Sequence, residues 1–196
     1  EAYAYFDDSM RDELLLEKEV TNSMQQALAD GEFIVYLQPK CNLETEEYVG
    51  AEALIRWMNP ERGLLPPGQF IPIFEKTGFI TEVDLYVWEQ VCRMLARWKQ
   101  ENRTLIPISV NVSRADLYHS DFMDRILELM DKYDIDSSLL HMEITETVYT
   151  ENQNQILDMV NQMEKLGFKV EMDDFGSGYS SLCMLKNTPF DVLKMD

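Results

Sequence analysis

Apolar positions along this chain switch between two periods, and the switches mark its elements. From about Met10 to Asp30, Leu14, Leu15, Met24, Ala27 and Leu28 make an apolar stripe at helical spacing, with Gly31 as the stop. Short apolar runs then alternate with helix-period stretches. Phe33–Gln38 is strand-like and ends at Pro39; Tyr48–Ile55 is a second strand, and the polar stretch Asn42–Glu47 between them suits a hairpin turn. A Pro/Gly-rich loop, Asn59–Gly68, leads to a helix near Phe70–Lys76. A longer helix covers about Thr81–Gln100, with Thr81 as N-cap and Val83, Val87, Val91 and Leu95 on one face. Pro107–Val112, Leu139–Thr145, Phe168–Asp173 and Val192–Met195 read as further strands. Between them lie helices over Leu117–Lys132, Asn152–Leu166 (closed by Gly167) and Ser180–Lys186. Strands alternating with helices imply an α/β fold with a parallel sheet, and six strands are countable.

Composition narrows the classes. With 196 residues, 45% of them hydrophobic, the chain suits one globular domain with a sizeable core. Its apolar runs fall far short of the ~20 residues that span a bilayer, so no membrane contact is expected of this segment. The net charge of −19 argues against a broad phosphate-binding face for long nucleic acid. A small anionic ligand stays possible, because bound divalent cations invert the sign of a carboxylate-lined pocket. Cys41, Cys92 and Cys183 are odd in number and widely spaced, which fits free thiols in a reducing cytoplasm. His119 and His141 lack metal-ligand spacing and read as structural or surface residues. That argues against a zinc-histidine or Ser-His-Asp hydrolase.

The candidate chemistry is a set of polar groups embedded in apolar strand residues: Glu52 on the second strand, Asn111 at the end of the third, Glu143 on the fourth, and Asp173 and Asp174 after the fifth. Any one of these acids alone would serve equally as an N-cap or a surface group. Burying several together costs several kcal/mol each unless cations compensate them. Oxygen donors without His or Cys point to Mg²⁺ or Mn²⁺.

These residues lie in motifs that resemble the EAL domains, the bacterial phosphodiesterase family that opens cyclic di-GMP. Glu52–Ala53–Leu54–Ile55–Arg56 matches the signature ExLxR. The likeness continues through Tyr36–Leu37–Gln38–Pro39, Asn111–Val112–Ser113–Arg114, Glu143–Ile144–Thr145–Glu146–Thr147, Asp173–Leu182 and Leu193–Lys194–Met195–Asp196, in family order over about Ala27 to Asp196. The resemblance implies a TIM-like (β/α)8 barrel, incomplete here with about six strands where a closed barrel has eight, and with its chemistry at the C-terminal strand ends.

It also implies roles. Glu52, Asn111, Glu143 and Asp173 would hold one metal ion, and Asp173 with Asp174 a second, in a two-metal site for in-line attack on a phosphodiester. Lys194 would orient the attacking water, so Glu52 and Lys194 are the catalytic candidates. Gln38, Leu54 and Arg56 would contact substrate, Arg56 through its guanidinium fork on a phosphate. Glu146 would steady the loop containing Phe175, Gly176, Ser177 and Gly178, which couples metal and substrate binding to homodimerisation. Ser177 stands where many relatives carry threonine and Thr147 where many carry serine; both keep a hydroxyl.

Residues 1–22 resemble the linker helix that follows an upstream GGDEF domain, leaving 23–196 as an EAL domain. Two further family strands, with a metal-ligating glutamate and a substrate-binding glutamine, have no counterpart here. A fragment of a longer, cytoplasmic or membrane-anchored signalling protein is therefore expected, or completion by a partner chain. The expected activity is metal-dependent hydrolysis of cyclic di-GMP to linear pGpG. The alternatives are a non-catalytic cyclic di-GMP receptor and a regulatory or dimerisation module for a neighbouring GGDEF domain.

Overall fold

The apolar runs become the elements of the computed structural model, which describes residues 8–151, 153–176 and 190–195. In chain order they are α1 (Asp8–Ala29), β1 (Phe33–Cys41), β2 (Tyr48–Asn59), β3 (Gly63–Leu65), α2 (Ile71–Thr77), α3 (Ile80–Gln100), β4 (Ile108–Asn111), α4 (Arg114–Leu117), α5 (Phe122–Tyr133), β5 (Leu140–Thr145), α6 (Glu146–Glu151), α7 (Gln153–Lys165), β6 (Lys169–Phe175) and β7 (Val192–Met195). All six expected strands are present, but Pro39 does not end β1: at the end of the sheet order a proline can be accommodated, and the strand runs on to Cys41. The short helix expected over Ser180–Lys186, together with Ser177, Gly178 and Cys183, lies outside the described residues.

Three helical expectations change in detail. Thr81 is not an N-cap: it sits inside α3, and its hydroxyl donates back to the Gly78 carbonyl. The helix expected over Leu117–Lys132 is two, because Ser113 and Asp116 form a capping box that starts α4 early. The one expected over Asn152–Leu166 is preceded by a separate turn of helix, α6.

The sheet runs β1-β2-β4-β5-β6-β7, with β3 paired antiparallel to β2. From β2 to β7 the neighbours on the main path are parallel, as the βα alternation requires. The register sets Glu52 beside Ser109, Asn111 beside Glu143, Glu143 beside Glu171, and Thr145 beside Asp173. The turn between β1 and β2 closes through Asn42, whose N–H donates to the Glu47 carbonyl at 2.9 Å. Its Oδ1 accepts from the amides of Glu44 and Thr45. No helix among the described residues is long and apolar enough to cross a membrane.

The chain divides into two compact units, Glu1–Ile34 with Ile55–Val83, and Val35–Leu54 with Asp84–Asp196. The first is organised around aromatics. Phe33, Trp57, Phe70 and Phe74 contact one another with ring centroids 5.0–6.0 Å apart. The buried Trp57 satisfies its indole N–H on Glu32 Oε2 at 2.7 Å. Helix α1 joins this unit through buried Val20 and Ala27. Its ion pairs Glu17–Lys76 and Glu19–Arg62 lie at the surface, where such pairs are worth about 0–1 kcal/mol each.

The second unit is built on strand alternation. Ile108 and Val110, Met142 and Ile144, Val170 and Met172 are buried on one face of the sheet. The buried sides of α3 (Val87, Val91, Leu95), α5 (Ile126, Leu129) and α7 (Ile156, Val160, Met163) supply the rest of this apolar layer. The opposite face carries Ser109, Asn111, His141, Glu143, Glu171 and Asp173. Gly50 permits a close approach here: a Cβ at this position would meet the Pro107 carbonyl oxygen at 3.0 Å, the oxygen that accepts from the Ala51 amide.

Apart from that polar face and Glu146, the buried polar residues of the described chain are Asp84 and Asp116. Burial, then the neighbouring Asp116 charge and a hydrogen bond between the two acids, push the Asp84 carboxyl well above its ordinary range. Asp116 Oδ2 is taken by the Ser113 hydroxyl and amide at 2.5 and 3.1 Å, so Asp84 is the acid that carries the shared proton. In the unfolded chain Asp84 loses its proton near pH ~3.9. As pH rises above that value the unfolded state sheds a proton that the native state keeps, so stability falls until the native pKa is passed. Asp84→Asn should flatten this decline and raise the melting temperature at pH 7.5 relative to wild type, with little difference at pH 4. Melts across that range check it, and equal pH dependence in both proteins would contradict it.

Candidate metal centre

Parallel register stacks polar side chains from successive strands in two layers on the inner sheet face. The upper layer lies toward the C-terminal strand ends. Glu52 on β2, Glu143 on β5 and Asp173 on β6 each place a carboxylate oxygen within 4.8 Å of the others. The Lys194 ammonium from β7 stands among them, 2.8 Å from Glu52 Oε2 and 3.1 Å from both Glu143 Oε1 and Asp173 Oδ1. Asn111 closes β4 in register with Glu143, and its carbonyl oxygen accepts from the Trp88 indole at 3.1 Å.

Asp174 follows in a left-handed conformation, φ 55°, and Gly176 has φ 100°. The β6–β7 register shifts between Met172 and Phe175. A non-glycine residue in this region is strained by about 1–3 kcal/mol and persists only where its surroundings hold it, typically at functional sites. Here the strain falls on Asp174, the second of two adjacent acids. Glu146, at the start of α6, is buried and accepts the Gly176 amide on Oε2 at 2.6 Å, tying the end of β6 to the end of β5. Phe175 is half-buried and in register with Met195.

Gln38 and Leu54 lie on β1 and β2 of the same compact unit as the cluster. Leu54 follows Glu52 by two residues and so shares its strand face. Arg56 belongs to the other unit, where its Nη1 donates to the Ile55 carbonyl.

The lower layer was not expected. Lys40 on β1 donates to Ser109 Oγ at 2.6 Å, Glu143 Oε1 at 2.9 Å and Glu171 Oε2 at 2.5 Å. Ser109 donates to Glu171 Oε1 at 3.0 Å, and His141 Nδ1 meets the same oxygen at 2.7 Å. A sequence signal existed: each of these residues sits two positions from an expected site residue, on the same strand face. Lys40 follows Gln38, Ser109 precedes Asn111, His141 precedes Glu143, and Glu171 precedes Asp173.

Charge organises the layers. Burial pushes the Glu143 carboxyl up to about 7, and its bond with Glu171 pushes the same way, against Lys40. Burial also opposes the charge on Glu171, but hydrogen bonds with His141, Glu143 and Lys40 outweigh it and hold that carboxyl well below the usual range. Burial disfavours the Lys194 ammonium as well, yet Glu52, Glu143 and Asp173 raise its pKa above the ordinary lysine value.

The residues fit divalent cations. Three carboxylates converge where a cationic ammonium already stands. Glu143 Oε2 is buried with no hydrogen-bond partner among the described residues, a costly state for a carboxylate oxygen without a ligand. All the donors are hard oxygens, the set that Mg²⁺ and Mn²⁺ prefer.

Residues 21–196 match the family model of the EAL domain. The chain belongs to the EAL domain family. This EAL domain is 32% identical to the bifunctional diguanylate cyclase/cyclic di-GMP phosphodiesterase MucR of Pseudomonas aeruginosa, over 99% of this chain and 28% of MucR. It is 35% identical to the cyclic di-GMP phosphodiesterase PA2567 of the same organism, over 89% of this chain and 30% of that protein. The chain thus spans less than a third of the length of these curated relatives. Among solved structures, the MucR phosphodiesterase in complex with c-di-GMP superimposes with a TM-score of 0.86 at 32% identity, covering 91% of this chain and 72% of that one. The FimX EAL domain of Pseudomonas aeruginosa shares the fold, with a TM-score of 0.81 at 21% identity over 90% of this chain and 71% of that one.

If Lys194 is the cation that compensates the upper layer, Lys194→Met should lower stability in EDTA by about 2 kcal/mol. That is the cost of leaving buried acids unpaired, reduced for a side chain 24% exposed. Millimolar Mn²⁺ should then raise the variant's melting temperature by more than it raises wild type's. Equal melting of the two proteins in EDTA would contradict the assignment.

Proposed function

We propose that the protein carrying this EAL domain hydrolyses cyclic di-GMP to linear pGpG with Mg²⁺ or Mn²⁺. The observation that carries this reading is the convergence of Glu52, Glu143 and Asp173 on one cation position, with Glu143 Oε2 unpartnered beside it. The names of MucR and PA2567 and the c-di-GMP complex of MucR support the substrate.

Glu52, Asn111, Glu143 and Asp173 would hold the first ion, and Asp173 with Asp174 the second. Bound there, two divalent cations would activate an attacking water and stabilise the departing oxygen of an in-line displacement. Lys194 supplies an ammonium beside Glu52 and Asp173 that can orient the nucleophilic water and stabilise phosphorane charge. Arg56 and Gln38 bind the phosphate and guanine portions of the dinucleotide, and Leu54 packs against it. Glu146 couples the site to the segment beginning at Phe175 and Gly176, through which two copies associate. Residues 1–22 form the linker from a GGDEF domain, which the bifunctional name of MucR supports for that relative. The protein acts in the cytoplasm.

Full-length protein incubated with cyclic di-GMP and Mn²⁺ should yield pGpG by chromatography. Glu52→Ala should lose activity by more than the ~100-fold that removing a supporting residue can cost. Binding of cyclic di-GMP without turnover by a folded wild type would replace this reading with that of a receptor. Wild-type turnover by Glu52→Ala would remove Glu52 from the site.

A further inference from the structure

We propose that Lys40 is a positioning residue for the metal centre. With Ser109, His141 and Glu171 it fixes Glu143 Oε1, leaving Glu143 Oε2 as the oxygen offered to a divalent cation. This rests on the metal-dependent reading of the upper layer.

A lysine ammonium has three donors. Lys40 places all three on acceptors from three different strands: Ser109 on β4, Glu143 on β5 and Glu171 on β6. A saturated ammonium has no freedom left to rotate its bonds elsewhere. Glu171, the anchor of the arrangement, is fixed in turn on both oxygens. Oε2 accepts from Lys40, while Oε1 accepts from Ser109 at 3.0 Å and from His141 at 2.7 Å. A carboxylate only accepts, so His141 Nδ1 carries the hydrogen of that bond. Glu171 itself is 2% exposed.

The two lysines differ in what they touch. Among the described residues Lys194 pairs with the three acids of the upper layer, meeting Glu143 at the same Oε1 that Lys40 holds, so a cation entering among those acids competes with it for Glu52 and Asp173. Lys40 contacts one of those acids and two groups outside the cluster. Its bonds are compatible with a cation on the far oxygen of Glu143. Groups that orient metal ligands in this way commonly change metal affinity by about 10–100-fold when removed. Lys40 also neutralises one of two buried carboxylates that would otherwise repel across the β5–β6 register pair.

The test is Mn²⁺ binding by full-length protein, read from the electron paramagnetic resonance signal of free Mn²⁺, which does not depend on turnover. Lys40→Met keeps the stem and removes the charge, and it should weaken Mn²⁺ binding about 10-fold or more. Glu171→Gln should weaken it in the same direction. The double variant should match the worse single variant, because the two act as one unit. Ser109→Ala, which removes one acceptor and changes no charge, carries the test if Lys40→Met does not fold; it should weaken binding by a smaller factor. Glu143→Gln is the control that separates the two readings. If Glu143→Gln abolishes binding and folded Lys40→Met or Ser109→Ala binds Mn²⁺ as wild type does, Lys40 has no positioning role. If wild type binds no Mn²⁺, or Glu143→Gln leaves binding intact, the metal centre falls and this proposal with it.

Discussion

Burial of acids against one another is the constraint on which the second compact unit depends. Glu52, Glu143, Glu171 and Asp173 share one strand face with Lys40 and Lys194. Four acids against two ammonium groups leave two negative charges uncompensated when all are ionised, the charge of one divalent cation. Without such a cation, burial pushes the Glu143 carboxyl up to about 7, so part of the excess is relieved by retained protons. A structural core would gain by replacing such a cluster with apolar residues of similar volume. A binding site gains from keeping it, because the unmet charge is what attracts a metal ion.

The rest of the unit serves that arrangement. The outward faces of β4, β5 and β6 bury Val110, Met142, Ile144, Val170 and Met172, so these strands are held by apolar packing on the side away from the acids. Rigid packing on one face permits an electrostatically unfavourable arrangement on the other. The parallel register then determines which polar residues are neighbours: Asn111, Glu143 and Glu171 fall in one row that joins the upper layer to the lower. At the end of β6, Asp174 and Gly176 take left-handed backbone conformations, and the Glu146 carboxylate accepts the Gly176 amide.

Much of this was legible in the sequence. The six strands of the main sheet path were readable because each is a short apolar run between polar or Gly/Pro-rich segments. The acids of the upper layer were readable because a carboxylate inside such a run is anomalous, and because they fall within recognisable motifs. The three-residue strand β3 was not, since Gly63–Leu65 is too short to show a period and exists only by pairing with the end of β2. The start of α4 was missed because the capping box Ser113–Asp116 is a local hydrogen-bond device without an apolar stripe. The lower layer was missed for a different reason. Lys40, Ser109, His141 and Glu171 come from four strands, and each alone looks like an ordinary polar residue; only the register brings them together. His141 in particular reads as structural, and it is, but its partner is an acid thirty residues later in the chain.

The proposed cation site lies among the upper carboxylates, whose charge Lys194 now compensates. It is tested most directly by anomalous diffraction from crystals of the full-length protein grown with Mn²⁺. A Mn²⁺ peak coordinated by Glu52, Glu143 and Asp173, with the Lys194 ammonium displaced from their oxygens, is the predicted result. A protein saturated with Mn²⁺ whose peaks lie elsewhere, with Lys194 still bonded to all three acids, would contradict it.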